Sequence, residues 1–440
     1  MVSRRFLCIL LFSCVFATAA LAGLSKAKKE FSKAFKAKDF SRAGKALKEA
    51  AADDGKKSAE WIIKTVTKRK NHIIYRAGVE ALKSMKSNDA IGYICKQARG
   101  RSIESKILCV NAMAEMSDET TAKVLQLMLG DKDETVVREV VLAIGERKLR
   151  DGVGKLIETL KKYEKSRGRT YACILRALTR IAYLGDELTT AAQWKDFWER
   201  EKPRNIDDPL QEGGVWRRRK LRALRGLPNL FGTSVESKRV LFIIDSSGAM
   251  ELCVDNSSVA RKADEGITKD ARWFHARDEL LKTIRQLDKS AKFDVMLCPK
   301  SPSSCFGKLK PATKKNVEKV VKFLEEAETE TSGRPNLKKA LEKARACKDV
   351  TSMFIILGGA PLDEATGPGG TCDEAMGGVV DAFLGENVFW KIQVNVFSYT
   401  RPDSQEDSAR KLWADFLEYS KKFAESSDGF FKGLPKSRNR

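Results

Sequence analysis

Residues 239–250, Arg-Val-Leu-Phe-Ile-Ile-Asp-Ser-Ser-Gly-Ala-Met, decide the fold of the second half of the chain. The five apolar residues Val240–Ile244 are too few for a core helix and are rich in β-branched and aromatic types, which predicts a strand buried on both faces. Asp245 follows directly, and the polar turn after it contains Ser247. Because ligand sites of open parallel α/β sheets lie beyond the carboxyl ends of strands, Asp245 stands where a site is expected.

Strands and helices alternate after this stretch. Further strands are predicted at 292–297, 353–357 and 392–398, with an edge strand near 428–431. Helices with one apolar face are predicted at 273–284, 311–326, 336–346, 372–384 and 405–426. This alternation predicts a doubly wound, mainly parallel sheet with helices on both faces.

An internal repeat precedes the strand. Ala81-Leu82, Ala112-Met113 and Ala143-Ile144 are 31 residues apart, and Ala177-Leu178 follows after 34. Each pair lies in an apolar helical run, and turn residues then open a second helix. Short helices repeated every 30 to 40 residues or so bury their apolar faces by stacking into a solenoid. The pattern resembles short HEAT-like repeats over residues 70–200, and an irregular helical bundle is the alternative.

Residues 1–22 have the pattern of a signal peptide. Arg4 and Arg5 precede an apolar run, and Ala20-Leu21-Ala22 offers an A-x-A cleavage site. The run is short for a span of about 20 residues. We therefore expect cleavage and an exported chain in the periplasm, at the cell surface or outside the cell. A retained membrane anchor and a lipoprotein anchor at Cys14 are alternatives, and no later segment is apolar enough to cross a bilayer.

The charge balance is strongly basic. The formal net charge is +23, and loss of Arg4 and Arg5 with the signal peptide would lower it to +21. Such a field favours acidic partners, among them an acidic cell-surface polymer or lipid headgroups. Because Lys alternates with Glu on the helices, a solvated basic surface is the simpler alternative. No nucleic-acid-binding module is recognisable, so a specific nucleic-acid partner is not expected.

The cysteines allow disulfides if the chain is exported. The most local pair is Cys298 with Cys305, and Cys253 with Cys372 could join loops near Asp245. For Cys95, Cys109 and Cys173, which lie in helical stretches, buried free thiols are an equally simple expectation. The chain has two histidines and no C-x-x-C pair, so a zinc site is not expected.

Composition divides the chain into six segments. After the signal peptide (1–22) we expect a helical lead-in (23–69), the helical repeats (70–200), a linker (201–237), the α/β domain (238–433) and a basic tail (434–440). Trp194 and Trp198 are four residues apart on one helix face, so they are expected to cap the repeats.

The α/β domain resembles von Willebrand factor A domains in three motifs, over residues 238–433. The first motif of that family, D-x-S-x-S after a strand, is matched by Ile243–Met250. The second, a Thr before a helix, falls in Ser332–Leu337, where Pro335 stands at the Thr position. The third, an Asp after an apolar strand, falls at Gly358. The order of signal peptide, repeats and this domain also resembles exported proteins of planctomycete-type bacteria.

The resemblance implies a site for a divalent cation, Mg²⁺ or Ca²⁺, which prefers oxygen ligands. Asp245 and Ser247 are the family ligands that this chain keeps, whereas Ala249, Pro335 and Gly358 replace the other three and offer no side-chain oxygen. Substitute ligands from nearby loops are Asp255, Asp363, Glu364, Asp373 and Glu374. The alternative is a structural remnant without a metal or other cofactor, in which Asp245 accepts backbone N–H bonds and Ser247 caps the next segment.

Enzyme motifs are missing. The run after Asp245 has no G-x-S-x-G elbow, and Gly367-Pro368-Gly369-Gly370 lacks the Lys of a phosphate-binding loop. His275 is the single histidine of the α/β domain, and we expect it to be packed or exposed rather than catalytic. The sequence therefore predicts an exported, non-enzymatic binding or scaffold protein with a protein partner. Metal-dependent adhesion through substitute ligands and a hydrolase with an unrecognised site are the alternatives.

Overall fold

A computed structural model describes residues 23–183, 187–201, 215–254, 260–262, 266–329, 335–347, 349–359, 377–399 and 407–434. The predicted signal peptide, part of the predicted linker (202–214) and the residues after 434 lie outside this part of the chain. The chain divides into two compact units. One is Met1–Thr159 with Ala177–Tyr183, and the other is Leu160–Arg176 with Leu184–Arg440.

The first unit is helical. Its helices are α1 (23–36), α2 (Phe40–Ala51), α3 (Lys56–Arg69), α4 (His72–Lys83), α5 (Asn88–Ala98), α6 (Ile103–Met113), α7 (Glu119–Met128) and α8 (Glu134–Glu146). Two further helices, α9 (Val153–Tyr163) and α10 (Arg169–Ala182), are divided between the two units.

Side-chain caps fix where these helices begin. The side-chain oxygens of Asn71, Ser87, Ser102, Asp118 and Asp133 accept N–H groups from the first turns of α4 to α8. Each cap satisfies a donor that has no partner within its helix, which contributes about 1 kcal/mol. As a result α4, α6 and α8 begin at residues 72, 103 and 134, which preserves the 31-residue step of the sequence.

The helices of this unit form two layers. In one layer α2, α4, α6 and α8 pack side by side in that order, and in the other α3 packs on α5 and α5 on α7. Helix α1 joins the second layer, because the ring of Phe31 lies 5.7 Å from that of Trp61 in α3. Helices two apart in the chain are therefore neighbours in space, as stacking of helix pairs requires. The finer resemblance to HEAT-like repeats stays a prediction.

The second unit contains the α/β fold. After α11 (Ala191–Glu201) its strands are β1 (Asn229–Leu230), β2 (Thr233–Ser234), β3 (Arg239–Asp245), β4 (Arg261–Lys262), β5 (Gly266–Ile267), β6 (Lys292–Cys298), β7 (Ser303–Ser304), β8 (Lys310–Pro311), β9 (Ser352–Leu357), β10 (Gln393–Tyr399) and β11 (Phe431–Leu434). Its later helices are α12 (Arg272–Arg285), α13 (Lys314–Glu325), α14 (Leu337–Ala346), α15 (Gly378–Trp390) and α16 (Asp407–Glu425).

The main sheet is mostly parallel, as predicted. Its five parallel strands lie in the order β11-β10-β9-β3-β6, and the short strands β7 and β8 pair antiparallel with β6. From β3 the chain moves to one side to form β6 and then returns to the other side to form β9. Such a switch point opens the crevice in which doubly wound sheets bind ligands. Here it lies between the carboxyl ends of β3 and β9.

Strand β3 is the centre of this sheet and is buried from Val240 to Asp245. Val240, Phe242 and Ile244 belong to the core between the sheet and helices α12 and α13. Leu241 and Ile243 point the other way, into the core formed with α14, α15 and α16. The alternation of side chains along a strand therefore serves two cores, which confirms the prediction of a strand buried on both faces.

The candidate bridge between Cys298 and Cys305 is not formed. Both residues are free thiols. Cys298 belongs to the core on the α14 side of the sheet, whereas Cys305 packs against the core on the α12 side. A disulfide needs Cβ atoms about 4 Å apart, and the sheet separates these two side chains.

Two other expectations for the cysteines differ in outcome. Cys95 and Cys109 are buried free thiols, one of the two states expected for them. Cys372 lies outside the described residues, so its pairing with Cys253 stays a prediction. In the described part of the chain no helix is both long and apolar enough to cross a membrane.

Candidate functional site

Asp245 is the last residue of β3 and lies at the switch point of the sheet. It is fully buried. Its Oδ1 accepts the backbone N–H of Ser247 at 2.8 Å, and its Oδ2 accepts that of Gly358 at 2.9 Å. Gly358 directly follows β9, so one carboxylate links the loops after two neighbouring strands. These are the backbone bonds expected of a structural remnant.

Ser247 does not cap the segment that follows it, contrary to the remnant interpretation. A 3₁₀ turn runs from Gly248 to Glu251, and the main-chain oxygen of Ser247 accepts the N–H of Met250 at 2.9 Å. The side chain makes no capping bond, and it is fully buried. Its hydroxyl favours the ionised form of Asp245 but has no hydrogen bond of normal geometry.

Burial dominates the electrostatics of Asp245. It raises the pKa of this carboxyl to about 6 from the usual 3.8, although the bonds from Ser247 and Gly358 and the nearby charge of Arg272 act in the opposite direction. A carboxylate in a low-dielectric interior is less stable than in water unless enough partners surround it. Burial of Asp245 in the folded protein therefore makes its ionised form less stable than it is in water.

Gly358 stands where the third motif of von Willebrand factor A domains has an Asp. The space next to its Cα is occupied by Met250 and Ala249. A Cβ atom at Gly358 would lie 2.5 Å from Sδ of Met250 and 3.1 Å from the carbonyl carbon of Ala249. Met250 is itself fully buried. At the next residue, Gly359, a Cβ would lie 2.9 Å from Cβ of Ala249. An aspartate at 358 would require the side chain of Met250 to move and the backbone at Ala249 to give way slightly.

Arg272, the first residue of α12, lies beside Asp245. Its side chain is fully buried, and Nη1 donates to the main-chain oxygens of Gly358 at 2.6 Å and Ala249 at 3.3 Å. The guanidinium thus links the same two loops as Asp245 does. Its charge also acts on Asp245 by lowering the pKa of that carboxyl.

Tyr399, at the end of β10, packs against Arg272 and hydrogen-bonds to it. Its ring centroid lies 5.4 Å from the guanidinium carbon of Arg272, and its hydroxyl donates to the main-chain oxygen of Arg272 at 3.2 Å. The same hydroxyl lies 2.7 Å from Nδ1 of His275. His275 is therefore part of the packing around Arg272, one of the two states expected for it.

Of the remaining predicted site residues, Pro335 and Ala249 are described and offer no side-chain ligand. Pro335 is buried next to Asn336, whose N–H bonds to the main-chain oxygen of Pro299 at 3.2 Å and whose side chain caps α14. Ala249 offers its main-chain oxygen, which Arg272 occupies. The predicted substitute ligands Asp255, Asp363, Glu364, Asp373 and Glu374 lie outside the described residues.

A divalent cation does not fit the described residues. Mg²⁺ requires about six oxygen ligands in octahedral array. Both carboxylate oxygens of Asp245 already accept N–H bonds, and the nearest main-chain oxygens are held by a guanidinium. A second cation there would be repelled by Arg272. Within the described residues no cluster of three or more His, Cys, Asp or Glu side chains could hold a metal.

A cleft of about 680 Å³ lies elsewhere in this unit, between the end of α12 and α13. Arg285, Leu287 and Lys289 line one wall, in the segment that enters the amino end of β6, so the cleft is remote from Asp245. Lysine and glutamate side chains of α13 line the other wall, including Lys314, Glu318 and Glu325. Its lining contains no serine or histidine, and thus no Ser–His pair.

Sequence reasoning missed Arg272 and Met250. Arg272 acquires its role only because the first turn of α12 meets loops 23 and 86 residues away. One feature of the sequence pointed to Arg272. It is a cation in the first turn of a helix, where the helix dipole favours anions. Such a residue needs acceptors from elsewhere in the fold.

Comparison with known proteins agrees with the fold. The model of the von Willebrand factor type A domain matches residues 270–369. The match contains Arg272 and Gly358 and begins after Asp245, so the first motif rests on its own residues. The mostly parallel sheet is typical of such a domain. No curated protein matches the chain.

Two solved structures are similar over part of the chain. The conserved hypothetical protein BatB from Bacteroides thetaiotaomicron is 15% identical, with a TM-score of 0.28, and the match covers 45% of this chain and 90% of that one. An aerotolerance-related membrane protein from Bacteroides fragilis NCTC 9343, with multiple mutations to serines, is 12% identical, with a TM-score of 0.26, and the match covers 45% and 92%.

Proposed function

We propose that this protein is an exported, non-enzymatic binding or scaffold protein. A HEAT-like helical array carries a von Willebrand factor A-like domain, which binds a protein partner without a metal ion. Export through residues 1–22, the limits 70–200 and 238–433 of the two parts and the likeness to planctomycete-type proteins belong to this proposal. Domains of this type generally mediate contacts between proteins, which supports a protein partner.

The position of Arg272 carries the proposal. In the family, a metal at this end of the sheet offers one coordination position to an acidic residue of the partner. Here a buried guanidinium joins the loops after β3 and β9 at the same place, through bonds to Gly358 and Ala249. A fully buried arginine cannot reach a partner, so recognition has to use the exposed residues around the site. We therefore regard the metal motif as degenerate.

Metal titration tests the degenerate motif. We expect calorimetry with Mg²⁺, Mn²⁺ and Ca²⁺ to show no saturable heat, and the melting temperature to stay unchanged. Asp245→Asn serves as the control, since it removes the carboxylate that the family uses as a ligand. A metal-dependent rise in melting temperature that Asp245→Asn abolishes would instead establish metal-dependent adhesion through the substitute ligands.

Partner capture tests the location of the binding surface. Lys300 follows the carboxyl end of β6 and Lys292 begins the same strand, and both are exposed. We expect Lys300→Glu to reduce capture of a cross-linked partner from a cell-envelope extract, and Lys292→Glu to leave it unchanged. Equal loss in both variants, or in neither, would contradict binding at the carboxyl end of the sheet.

A further inference from the structure

Positive charge is concentrated in the first three helices of the chain. Residues 23–70 contain fifteen Lys and Arg against six Asp and Glu, a net charge of +9. Residues 71–159, which complete the same unit apart from a short segment of α10, contain fourteen against thirteen, a net charge of +1. A basic surface spread evenly over the helices would not show this difference.

The structure leaves this charge facing solvent. All fifteen Lys and Arg side chains of the segment are exposed. Five of the six acids are engaged within the protein: Glu30 pairs with Arg42 and Glu60 with Lys64, both at 2.6 Å, Asp39 caps α2, Asp53 accepts the hydroxyl of Ser58 at 2.7 Å, and Asp54 accepts two backbone N–H groups. The acids thus stabilise the helices more than they neutralise the surface.

The lysines of α1 lie on one face of the helix. Lys26, Lys29, Lys33 and Lys36 follow the spacing i, i+3, i+7, i+10, which places them in one stripe. The residues Leu24, Ala27, Phe31 and Ala34 form the buried stripe on the opposite side. Helix α1 therefore turns four lysines directly away from the core.

Helix α3 repeats this arrangement next to α1. Lys57, Lys64 and Lys68 are exposed on the side opposite its buried residues, which include Ile62 and Val66. The two helices run in the same direction, because Phe31 packs on Trp61 near their middles and Arg69 lies 4.5 Å above the ring of Phe35 near their ends. Helices α1 and α3 are therefore neighbours, and we call the seven lysines of their exposed stripes the lysine face.

We propose that the lysine face binds the surface of an anionic lipid bilayer. Two parallel helices of 14 residues, each about 21 Å long, present a broad array of point charges and not a linear track for one polymer chain. Lysine predominates, with thirteen Lys to two Arg in the segment, and its ammonium group lacks the planar fork used for bidentate recognition. Such an array matches a plane of headgroup phosphates and attracts it without specific geometry.

The lysine face has no apolar residue to insert into a bilayer. Among the described residues the exposed large hydrophobic side chains are Ile73, Ile103, Leu127 and Trp390, and all lie outside 23–70. Binding is therefore electrostatic, reversible and sensitive to salt, since about 0.1 M salt screens charges beyond about 10 Å. The proposal is independent of the site at Asp245, which lies in the other unit.

Vesicle co-sedimentation with the full chain tests this binding. The probe is phosphatidylcholine vesicles with about 30% phosphatidylglycerol, compared with pure phosphatidylcholine. The test variant replaces Lys26, Lys29, Lys33 and Lys36 by Gln. The matched control replaces the exposed Lys314, Lys315, Lys319 and Lys322 of α13 by Gln, so both variants lose four charges from one helix and keep residues 1–22. Circular dichroism and melting temperature show that both remain folded.

We expect the lysine-face variant to bind anionic vesicles at least about ten-fold more weakly, and the control to change by less than about three-fold. High salt should abolish binding of the wild-type chain. Three results would overturn the proposal: equal binding to neutral vesicles, equal loss in the control, or tighter binding to a soluble sulfated polysaccharide or duplex DNA than to vesicles at the same salt. The last result would assign the lysine face to a polymer.

Discussion

Gly358 shows how one residue closes the site that its family position would open. The space next to its Cα is already taken by Met250, which is fully buried, and by the backbone of Ala249. A side chain at 358 would require the side chain of Met250 to move. The glycine at 358 and the packing of Met250 thus depend on each other.

This packing makes a prediction for Gly358→Ala. The added methyl group would meet Sδ of Met250 at 2.5 Å, and overpacking of this kind lowers the free energy of unfolding by about 1–3 kcal/mol. Gly378→Ala is the matched control in the same unit, because Gly378 is an exposed helical residue with nothing within 4 Å of the added Cβ. Because Gly378 is the first residue of α15, that change should alter the free energy of unfolding by no more than about 0.5 kcal/mol. Urea unfolding measures both, and equal effects would contradict a closed site at Gly358.

The raised pKa of Asp245 makes a second prediction, with a definite sign. The folded chain holds the proton of Asp245 up to a pKa of about 6, whereas the unfolded chain releases it near the usual 3.8. Between these values the folded state binds more protons, so the contribution of Asp245 to the free energy of unfolding falls as pH rises. The fall has an upper limit on the order of 3 kcal/mol.

Asp245→Asn separates this effect from other titrations, because asparagine has no proton to lose. We expect the stability advantage of wild type over Asp245→Asn to shrink between about pH 4 and about pH 7. Denaturant unfolding of both proteins across this range measures the difference. An advantage that grows with pH would mean that Arg272 outweighs burial and holds Asp245 ionised.

At the scale of elements, the first turn of α12 connects the loops at the carboxyl end of the sheet. Its first residue, Arg272, bonds to the loops after β3 and β9, and Tyr399 at the end of β10 bonds to its main chain. One helix terminus thus connects the ends of three adjacent strands. Hydrogen bonds from the guanidinium of Arg272 hold the loops after β3 and β9 together.

Substitution of Arg272 tests this connection. Arg272→Met would leave Asp245 without a nearby cation and two main-chain oxygens without their donor, which should lower the free energy of unfolding by about 3–5 kcal/mol. Arg272→Lys keeps the charge and should lose less. In the double variant with Asp245→Asn the loss should be smaller than the sum of the single losses, since the two groups interact. Additive losses in urea unfolding would show that Arg272 and Asp245 act independently.

The elements themselves were largely predictable, and α15 shows where prediction failed. The sequence predicts that this helix ends near 384, but the helix continues to Trp390. Its end is fixed by the buried side chain of Asn387, which bonds to both the N–H and the main-chain oxygen of Ile392 at 2.8 Å. A polar residue can close a helix in this way only if the fold buries it.

At the scale of the whole molecule, the free thiols are protected by the fold. Cys95, Cys109, Cys298 and Cys347 are buried, and Cys305 is half-buried. Burial raises the pKa of the thiols of Cys305 and Cys347 to about 11 and those of Cys109 and Cys298 further. Because the thiolate is the reactive form, all five should be inert near neutral pH.

Alkylation followed by mass spectrometry tests this protection. In the native chain we expect slow modification of Cys305 and none of Cys109 or Cys298, while all five should react after unfolding. Cys305→Ser is the control and should remove most of the native modification at these five positions. Rapid native modification of Cys298, or a bridge between Cys298 and Cys305 after mild oxidation, would contradict their placement on opposite sides of the sheet.

The sequence by itself determined the architecture. Periodicity of 31 residues set the order of the helices, and short apolar runs followed by polar turns set the strands, because both patterns are local and are read from neighbouring residues. It also placed Asp245 at the carboxyl end of the central strand and showed that Gly358 cannot supply a ligand. Only the tertiary structure decided what fills that place. Contacts between segments far apart in the chain give Arg272, Met250 and Tyr399 their roles. Patterns among neighbouring residues do not predict such contacts.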